Sequence, residues 1–365
     1  MTASVTDWCN PAIQTLQPYQ PGKPTEELTR ELGLTDIVKL ASNENPRGPG
    51  LAVTSVLERA ADSLSRYPDG SGYRLKQALA AHLDVEVEQL TLGNGSNDVL
   101  ELIARVVLTP GAQAVVSEHA FVVYPLAVVS NGGVLVTVPA RAWGCDLDAM
   151  AKAVNEKTRI VFIANPNNPT GTWVGRAELS DFLEQLPEQL VVVLDEAYFE
   201  YVDEPEYPDG VDLQRRFPNL VVTRTFSKIH ALAALRVGYA ISHPEFAELM
   251  NRVRQPFNVN ALGLDCAEAA LADLDFVQES KALNAAGMRQ LSDGLDRLGI
   301  GFIPSAGNFL CVDLGRDAAP VYQDLLRRGV IVRPIAGYGM PRHLRVTVGL
   351  AEENQRFLAA LRELL

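Results

Sequence analysis

Lys228 follows a serine, lies one turn beyond the apolar run 220–223, and precedes Arg236 by eight residues. An amine flanked by a hydroxyl group and a guanidinium is suited to lie next to a bound phosphate. The pattern would serve an enzyme whose lysine condenses with an aldehyde cofactor while Thr225, Ser227 and Arg236 hold the cofactor's phosphate. Most serine–lysine pairs are surface accidents, so the rest of the chain has to support this hypothesis.

A carboxylate stands at the end of a second apolar run. Val191 to Leu194 has the pattern of a buried strand, and Asp195 follows it directly. A buried carboxylate is costly unless it is paired, and a protonated pyridine nitrogen would be a suitable partner. That pairing makes a pyridine ring an electron sink, as in pyridoxal phosphate, and Tyr198 could then reach the ring's phenolic oxygen. The alternative is that Asp195 only caps a helix.

A glycine-rich turn, Gly-Asn-Gly-Ser-Asn-Asp at 93–98, connects a strand-like run to a stretch with apolar residues at 99, 102, 103 and 106. This spacing predicts a helix, and a helix N-terminus offers free N–H groups to an anion. The third glycine of a dinucleotide-binding turn is missing, which disfavours a nicotinamide-dependent oxidoreductase. A single phosphate suits the turn better, and a plain turn capped by Asn97 or Asp98 is the alternative.

Other candidate ligand-binding residues also follow or interrupt strand-like runs. The heptapeptide Asn-Pro-Asn-Asn-Pro-Thr-Gly at 165–171 ends the run 160–163, and ligands gather at the carboxyl ends of parallel strands. Phe121 also follows a strand end and could stack on a flat cofactor, although an aromatic residue at this position is more often simply part of the core. Arg333 and Arg345 lie within apolar runs, where a guanidinium requires either an anionic ligand or a salt bridge.

The elements that must position these residues are strands alternating with helices. Continuous apolar runs are typical of strands buried on both faces, so we predict an α/β fold with a mostly parallel sheet flanked by helices. The runs are 114–116, 134–136, 160–163, 191–194, 220–222 and 237–240. One long helix is expected between 260 and 298, and strand-like runs at 309–312 and 344–348 predict a second, smaller α+β unit.

The first fifty residues are proline-rich and irregular, and they differ from the alternating strands and helices that follow. We therefore divide the chain into three parts. We predict that 1–50 forms an N-terminal arm and part of the small domain, and that 51–262 forms the large domain. The small C-terminal domain is then 263–365. Since so few regular elements fit the arm, we expect it to lie across a surface or reach a neighbouring subunit.

Composition limits the partners. The 365-residue chain has a net charge of −13, which disfavours nucleic acid and anionic lipid, so a phosphate requires a local cluster of donors. No run approaches the ~20 apolar residues of a membrane span, and residues 1–10 lack the features of a signal peptide. The four cysteines and five histidines show no metal-ligand spacing. We therefore expect a cytoplasmic protein without a metal.

Together these segments resemble the fold-type I pyridoxal phosphate aminotransferases, and most closely the class-II branch that acts on histidinol phosphate. The matching stretches occur in the family's order and span nearly the whole chain: 40–46, 66–70, 93–98, 165–171, 195–198, 225–228, 235–239 and 344–349. The resemblance implies pyridoxal 5'-phosphate as cofactor. It also implies transamination between L-histidinol phosphate and 2-oxoglutarate, which gives imidazole acetol phosphate and L-glutamate in L-histidine biosynthesis.

The resemblance further implies roles for individual residues. The catalytic set is Lys228, which forms the Schiff base and moves a proton, Asp195, which pairs the pyridine nitrogen, and Tyr198, which binds the ring oxygen. The cofactor-binding set adds Ser96, Asn97, Phe121, Asn168, Thr225, Ser227, Arg236 and Tyr67, the last donated by the other subunit of a homodimer. The substrate-binding set is Tyr19, Asn45, Arg333 and Arg345, with Arg345 binding the carboxylate of glutamate and, within its cluster, the phosphate of histidinol phosphate.

Two departures from the family leave the substrate open. The stretch 229–235 replaces glycines that many relatives have after the lysine, and Phe121 stands where relatives often carry tyrosine. Because both could alter the shape of the pocket, an aromatic amino acid aminotransferase is the alternative, followed by a threonine-phosphate decarboxylase-like enzyme. A non-catalytic cofactor-binding regulator is disfavoured, since it would usually carry a DNA-binding module.

Overall fold

The computed structural model describes residues 4–19, 22–60 and 64–365. Its helices are α1 (Thr25–Leu32), α2 (Leu51–Leu57), α3 (Tyr73–Leu83), α4 (Ser96–Val107), α5 (Val123–Ser130), α6 (Leu147–Ala153), α7 (Arg176–Gln185), α8 (Gly210–Gln214), α9 (Pro244–Val253), α10 (Ala261–Ala272), α11 (Leu274–Leu298), α12 (Ala318–Arg327) and α13 (Ala351–Leu364). Its strands are β1 (Val38–Leu40), β2 (Leu90–Gly93), β3 (Gln113–Ser117), β4 (Val134–Val138), β5 (Thr158–Ala164), β6 (Val191–Asp195), β7 (Leu220–Thr225), β8 (Gly238–Ile241), β9 (Gly301–Ile303), β10 (Phe309–Asp313), β11 (Val330–Pro334) and β12 (His343–Thr347).

The larger sheet has seven strands in the order β2–β8–β7–β6–β5–β3–β4. Strands β7, β6, β5, β3 and β4 run parallel, whereas β8 is antiparallel to both of its neighbours. All six apolar runs that predicted strands of this sheet form them, so the mostly parallel sheet is confirmed. The exception at β8 follows from its connection, because 226–237 contains no crossover helix and the chain turns back beside β7.

Helices cover both faces of this sheet, and β5 shows how the sequence arranges it. Ile160 and Phe162 pack into the core formed with α4 and α5, while Val161 and Ile163 pack into the core formed with α3 and α7. All four side chains are almost completely buried. Alternation between two apolar faces explains why the strand reads as a continuous apolar run rather than an alternating one.

The smaller sheet has five strands in the order β1–β11–β12–β10–β9. Strand β1, from the N-terminal segment, runs parallel to β11, and the other pairs are antiparallel. Helices α11, α12 and α13 pack with this sheet around a separate core. The predicted class, an α/β unit with a smaller α+β unit built from both ends of the chain, is confirmed.

The single long helix expected between 260 and 298 is wrong, because the stretch forms two helices that meet at Asp273. This residue has a non-helical backbone, and its carboxylate accepts a hydrogen bond from Phe276 N at 3.2 Å as the N-cap of α11. Helix α10 packs against α2 and α3 as part of the large core. The division of the chain into domains stays a prediction.

No helix in the described ranges is long and apolar enough to cross a membrane. The described part of the arm, 4–19, contains two short 3-10 turns, Val5–Trp8 and Pro11–Thr15. The two sheets meet where the carboxyl ends of β5, β6 and β7 face the small sheet's strands β11 and β12. The polar residues singled out in the sequence gather at this meeting place.

We expect Gly287→Ala to destabilise the packing of α11 on the end of the small sheet. A Cβ at Gly287 would lie 2.4 Å from Val348 Cγ1 and 3.0 Å from Asn354 Nδ2, and neither neighbour is a long flexible side chain. Overpacking of this kind costs about 1–3 kcal/mol, against a gain in helix propensity of about 1 kcal/mol. A lowered midpoint of thermal unfolding would show it.

The control is Asp293→Ala, an exposed position on the same helix, which should change stability by no more than about 0.5 kcal/mol. An unfolding midpoint for Gly287→Ala equal to that of the unmodified chain would contradict the tight contact.

Candidate active site

A cleft of about 920 Å³, its open mouth included, lies between the two sheets. It is lined by thirteen of the residues predicted from the sequence: Tyr19, Ser96, Asn97, Phe121, Asn168, Asp195, Tyr198, Thr225, Ser227, Lys228, Arg236, Arg333 and Arg345. They come from the ends of β6 and β7, the segments after β3, β5, β6 and β7, the N-terminus of α4, the arm, and strands β11 and β12. Residues distant in sequence therefore converge because both sheets end here.

Lys228 lies in the segment that follows β7, with its partly buried side chain in the cleft. Its Nζ donates a hydrogen bond to the carbonyl oxygen of Ser42 at 3.2 Å and lies 5.6 Å from the ring centroid of Tyr198. Burial, together with the positive charge of Arg345, lowers the pKa of Lys228 to about 7, although nearby Glu44 opposes the shift. A substantial share of the amine is thus neutral near neutral pH, as a nucleophile or base requires.

Asp195, the last residue of β6, is 4% exposed. Its Oδ2 accepts from the Tyr124 hydroxyl at 2.8 Å, and its Oδ1 accepts from Thr223 Oγ1 at 3.0 Å. Burial raises the pKa of Asp195, and the two hydrogen bonds oppose the rise. No lysine or arginine of the described chain forms an ion pair with Asp195. Asp195 therefore does not act as the simple helix cap considered as its alternative. A buried carboxylate without an ion pair is suited to a cationic group of a ligand.

Hydrogen-bond donors converge at the N-terminus of α4. Gly95 has φ +82°, and a Cβ there would lie 2.2 Å from Arg236 Nη2. A Cβ on Gly238 would lie 2.2 Å from the backbone nitrogen of Ser96. The two glycines therefore allow Arg236 and β8 to lie directly against the first turn of α4, and Arg236 Nη1 donates to Ser227 Oγ at 3.1 Å. Backbone N–H groups, a hydroxyl and a guanidinium form a cradle suited to a phosphate.

A second anion site lies across the cleft, on neighbouring strands of the small sheet. Arg333 and Arg345 are paired across β11 and β12. Arg345 is buried, and it donates to Asn168 Oδ1 at 2.6 Å and to the carbonyl oxygen of Ala41 at 2.7 Å, while its Nε has no partner. Arg333 lies 5.4 Å from the ring centroid of Tyr19. Among the described residues no carboxylate pairs with Arg345, so the salt bridge considered as an alternative is not formed there.

Among the described residues, four cationic side chains line the cleft, and they face one lining carboxylate. They are Lys228, Arg236, Arg333 and Arg345, opposite Asp195. This local excess of positive charge arises in a chain whose net charge is −13. A ligand with two separated anionic groups and one cationic group would match the arrangement.

Aromatic side chains support the carboxylate and the floor of the cleft. Phe121 packs edge-on against Tyr124, with ring centroids 5.9 Å apart, and Tyr124 stacks on Phe162 at 4.8 Å. Phe121 is partly exposed in the cleft, whereas Tyr124 is buried. Phe121 therefore presents its ring to the cleft rather than serving as a fully buried core residue.

Two predicted residues do not line the cleft. Asn45 donates from Nδ2 to the carbonyl oxygen of Ile229 at 2.7 Å and to Ser280 Oγ at 3.0 Å. Its side chain thus connects parts of the scaffold, and its role in substrate binding stays a prediction. Tyr67 is 84% exposed and stacks on Phe257 at 4.7 Å, away from the cleft of its own chain.

Other contributors were missed in the sequence. Tyr124 was not predicted as a site residue, although its position near the start of α5 directs it toward Asp195. Asn43, buried with φ +55°, donates to the Tyr198 hydroxyl at 2.8 Å. It lies within the matching stretch 40–46, so the signal was present, but the sequence does not reveal which asparagine of that stretch faces the site.

Known proteins are similar to this chain in sequence and in fold. The family model of class I and II aminotransferases matches residues 35–361. Histidinol-phosphate aminotransferase 2 of Pseudomonas fluorescens (strain Pf0-1) is 57% identical over 100% of this chain and 99% of its own, and histidinol-phosphate aminotransferase 1 of Nitrosococcus oceani is 54% identical over 97% and 95%. The crystal structure of histidinol-phosphate aminotransferase from Sinorhizobium meliloti, in complex with pyridoxal-5'-phosphate, is 32% identical with a TM-score of 0.90, covering 99% of this chain and 98% of that one.

We expect the pH at which the Lys228 amine of the ligand-free protein is half-labelled by an amine-reactive reagent to lie near the pKa of about 7. Arg345→Gln should raise this midpoint, because it removes a positive charge that disfavours the ammonium form. Asp195→Asn should lower it, because it removes a negative charge that favours that form. Mass spectrometry of the labelled peptide gives the midpoint.

The control is Arg327→Gln, an exposed arginine on α12, which should leave the midpoint unchanged. A midpoint near lysine's ordinary value of about 10.4, or shifts of the same sign in the two cleft variants, would contradict this electrostatic description.

Proposed function

The chain belongs to the class I and II aminotransferases, and we propose that it interconverts L-histidinol phosphate and imidazole acetol phosphate with pyridoxal 5'-phosphate as cofactor and the glutamate–2-oxoglutarate pair as co-substrates. In the biosynthetic direction this is a transamination of the L-histidine pathway. The observation that carries the proposal is the placement of Lys228 between two anion sites, the cradle at α4 and the site at Arg345.

The cleft residues fit the cofactor at each of its polar groups. The phosphate would be held by the cradle of Ser96, Asn97, Thr225, Ser227 and Arg236. Gly95 and Gly238 support this placement, because the absence of their side chains lets the donors lie close together. The cleft also holds a buried carboxylate, which can pair with a cationic group.

That carboxylate, Asp195, would keep a pyridine nitrogen protonated, and Phe121 would stack on the ring. Tyr198 and Asn168 would donate to the ring oxygen; Asn168 is free to do so through its amide N–H groups, because its Oδ1 accepts from Arg345. When bound, the cofactor supplies an electron sink that stabilises negative charge at the α-carbon of the amino substrate.

Lys228 is the residue that holds and moves the proton. A pKa of about 7 allows its Nζ both to accept a proton and to release it near neutral pH. Burial in the cleft keeps water from competing for that proton. The hydrogen bond to the Ser42 carbonyl oxygen orients the amine when it carries no other partner.

The second anion site supports the choice of substrates. Arg345 and Arg333 can bind the carboxylate of glutamate in one half-reaction and a phosphate in the other, because a guanidinium can donate paired hydrogen bonds to either anion. The altered stretch 229–235 was the main reason to consider aromatic amino acids instead. None of its residues lines the cleft, which weakens that reason, although Phe121 does line it.

We expect kcat/KM for L-histidinol phosphate to exceed that for L-phenylalanine and L-phosphothreonine, since only the first matches the proposal and the other two represent the alternatives. Lys228→Ala should lower kcat by about 10²–10⁴-fold or more and remove the near-visible absorbance of lysine-bound cofactor. Lys152→Ala, an exposed lysine on α6, is the matched control and should retain both. A kcat/KM for L-phenylalanine above that for L-histidinol phosphate would instead indicate an aromatic amino acid aminotransferase.

A homodimer is part of the proposal. Tyr67 is 84% exposed, and its ring stacks on Phe257, which is itself 44% exposed. Exposed apolar surface of this kind favours an interface between copies of the chain. From there Tyr67 would reach the cofactor phosphate in the partner's cleft, as the resemblance implies.

Mixing two inactive variants tests this arrangement. Lys228→Ala and Tyr67→Ala, unfolded together and refolded as a mixture, should regain activity, because one cleft of each mixed dimer then holds both residues. Random pairing makes about a quarter of all clefts complete. The variants refolded separately provide the control, and a mixture no more active than their average would contradict a shared cleft.

We also propose that the protein is cytoplasmic. Its four cysteines, Cys9, Cys145, Cys266 and Cys311, are all free thiols. Unpaired cysteines are typical of proteins in reducing compartments.

A further inference from the structure

Three consecutive residues, 41–43, each contact a different functional side chain of the cleft. The carbonyl oxygen of Ala41 accepts from Arg345 Nη2 at 2.7 Å, and that of Ser42 accepts from Lys228 Nζ at 3.2 Å. The segment directly follows β1, the edge strand that the N-terminal part adds to the small sheet. The small sheet therefore extends a short strap to the catalytic groups of the large one.

Asn43 is the third residue of this strap, and its contact is made by a side chain. It is 1% exposed and has φ +55°, a left-handed conformation that asparagine tolerates better than most residues. Its backbone N–H donates to Thr347 Oγ1 at 2.9 Å, and its carbonyl oxygen accepts from Asn308 Nδ2 at 3.0 Å. Both partners belong to the small sheet or its border, so the backbone of Asn43 is fixed on that side.

The orientation of the Asn43 amide follows from these contacts. Since Thr347 Oγ1 already accepts from the backbone, its own proton is available for Asn43 Oδ1, 3.1 Å away. This leaves Nδ2 to donate to the Tyr198 hydroxyl oxygen at 2.8 Å. In the opposite orientation Thr347 Oγ1 would accept two hydrogen bonds and its own proton would lose Asn43 Oδ1 as its acceptor, so the observed orientation satisfies more of these groups.

The direction of that hydrogen bond determines what Tyr198 can do. A phenol that accepts from an amide still has its own proton to donate. Within the described chain, Asn43 is the sole hydrogen-bond partner of the Tyr198 hydroxyl, and Tyr198 lines the cleft. Its proton is thus directed toward whatever occupies the cleft.

We propose that Asn43 is a positioning residue that makes Tyr198 a hydrogen-bond donor to the cofactor's ring oxygen. The inference rests on the proposed function, because it presupposes pyridoxal phosphate in the cleft. By holding Tyr198 from the strap that also contacts Lys228 and Arg345, Asn43 couples the small sheet to the ring-facing end of the site. A merely structural asparagine would stabilise the fold without affecting the cofactor.

The test is a pH titration of the near-visible absorbance of protein loaded with pyridoxal phosphate. The band reports a proton shared between the Lys228 nitrogen and the ring oxygen. A hydrogen bond donated by Tyr198 stabilises negative charge on that oxygen, and its loss favours the protonated form. We expect Asn43→Gly, which keeps the left-handed backbone but removes the amide, to raise the midpoint by about one pH unit.

Asn43→Asp provides a second variant of the same size. An ionised carboxylate at this position accepts from the Tyr198 hydroxyl, which turns the proton away from the cofactor, and it should raise the midpoint at least as much as Asn43→Gly. If one variant fails to fold, the other keeps the test open. Asn284→Ala, which replaces another buried asparagine of the small unit hydrogen-bonded to the Gly307 carbonyl oxygen, should leave the midpoint unmoved.

A double-mutant cycle isolates the route through Tyr198. In a Tyr198→Phe background, Asn43→Gly should cause no further shift, and this result supports the proposal. An unmoved midpoint in both Asn43 variants overturns it while the proposed function stands, and so does a shift from Asn43→Gly that is equally large with Tyr198 present and with Tyr198 replaced. Failure of the unmodified chain to show any such band with pyridoxal phosphate overturns both.

Discussion

The site depends on keeping one lysine partly buried among cations, so that a substantial share of its amine is neutral. Desolvation disfavours the ammonium form of Lys228, and the charges of Arg345 and Arg236 disfavour it further. These guanidiniums also form the two anion sites of the cleft. The positive groups that would bind a ligand's phosphate and carboxylate are therefore the groups that prepare the amine to act as a base, so binding and proton transfer depend on one charge distribution.

The fold satisfies this requirement by bringing two sheets together. The parallel strands of the large sheet deliver Asp195 and Lys228 at their carboxyl ends, where a buried carboxylate is held by Tyr124 and Thr223. The small sheet delivers Arg345 on a central strand, where it is rigid and excluded from water. Neither sheet holds a complete site by itself. The strap at 41–43 links the two, because it contacts Arg345 of the small sheet as well as Lys228 and Tyr198 of the large unit.

Much of this arrangement could be predicted from the sequence because its signals are local. Apolar runs identified the strands of the large sheet, and polar residues directly after those runs identified the edge at which a ligand binds. The break between α10 and α11 was missed, although an aspartate at 273 was available as an N-cap. Helical composition on both sides concealed a boundary that only the cap marks.

What remained unpredictable depends on side-chain direction in irregular backbone. Asn43 and Asn45 lie two residues apart, yet one contacts Tyr198 and the other binds the scaffold at Ile229. The left-handed turn at Asn43 changes which way successive side chains point, and no periodicity predicts it. The role of an exposed tyrosine such as Tyr67 is hidden for another reason, since it depends on a second chain.

The most direct test of a site organised around Lys228 is to trap the cofactor on the protein. The chain would be loaded with pyridoxal phosphate, reduced with borohydride, digested and analysed by mass spectrometry. The account predicts one cofactor per chain, attached to the peptide that contains Lys228. Label distributed over other lysines, or no stable label on Lys228, would contradict it.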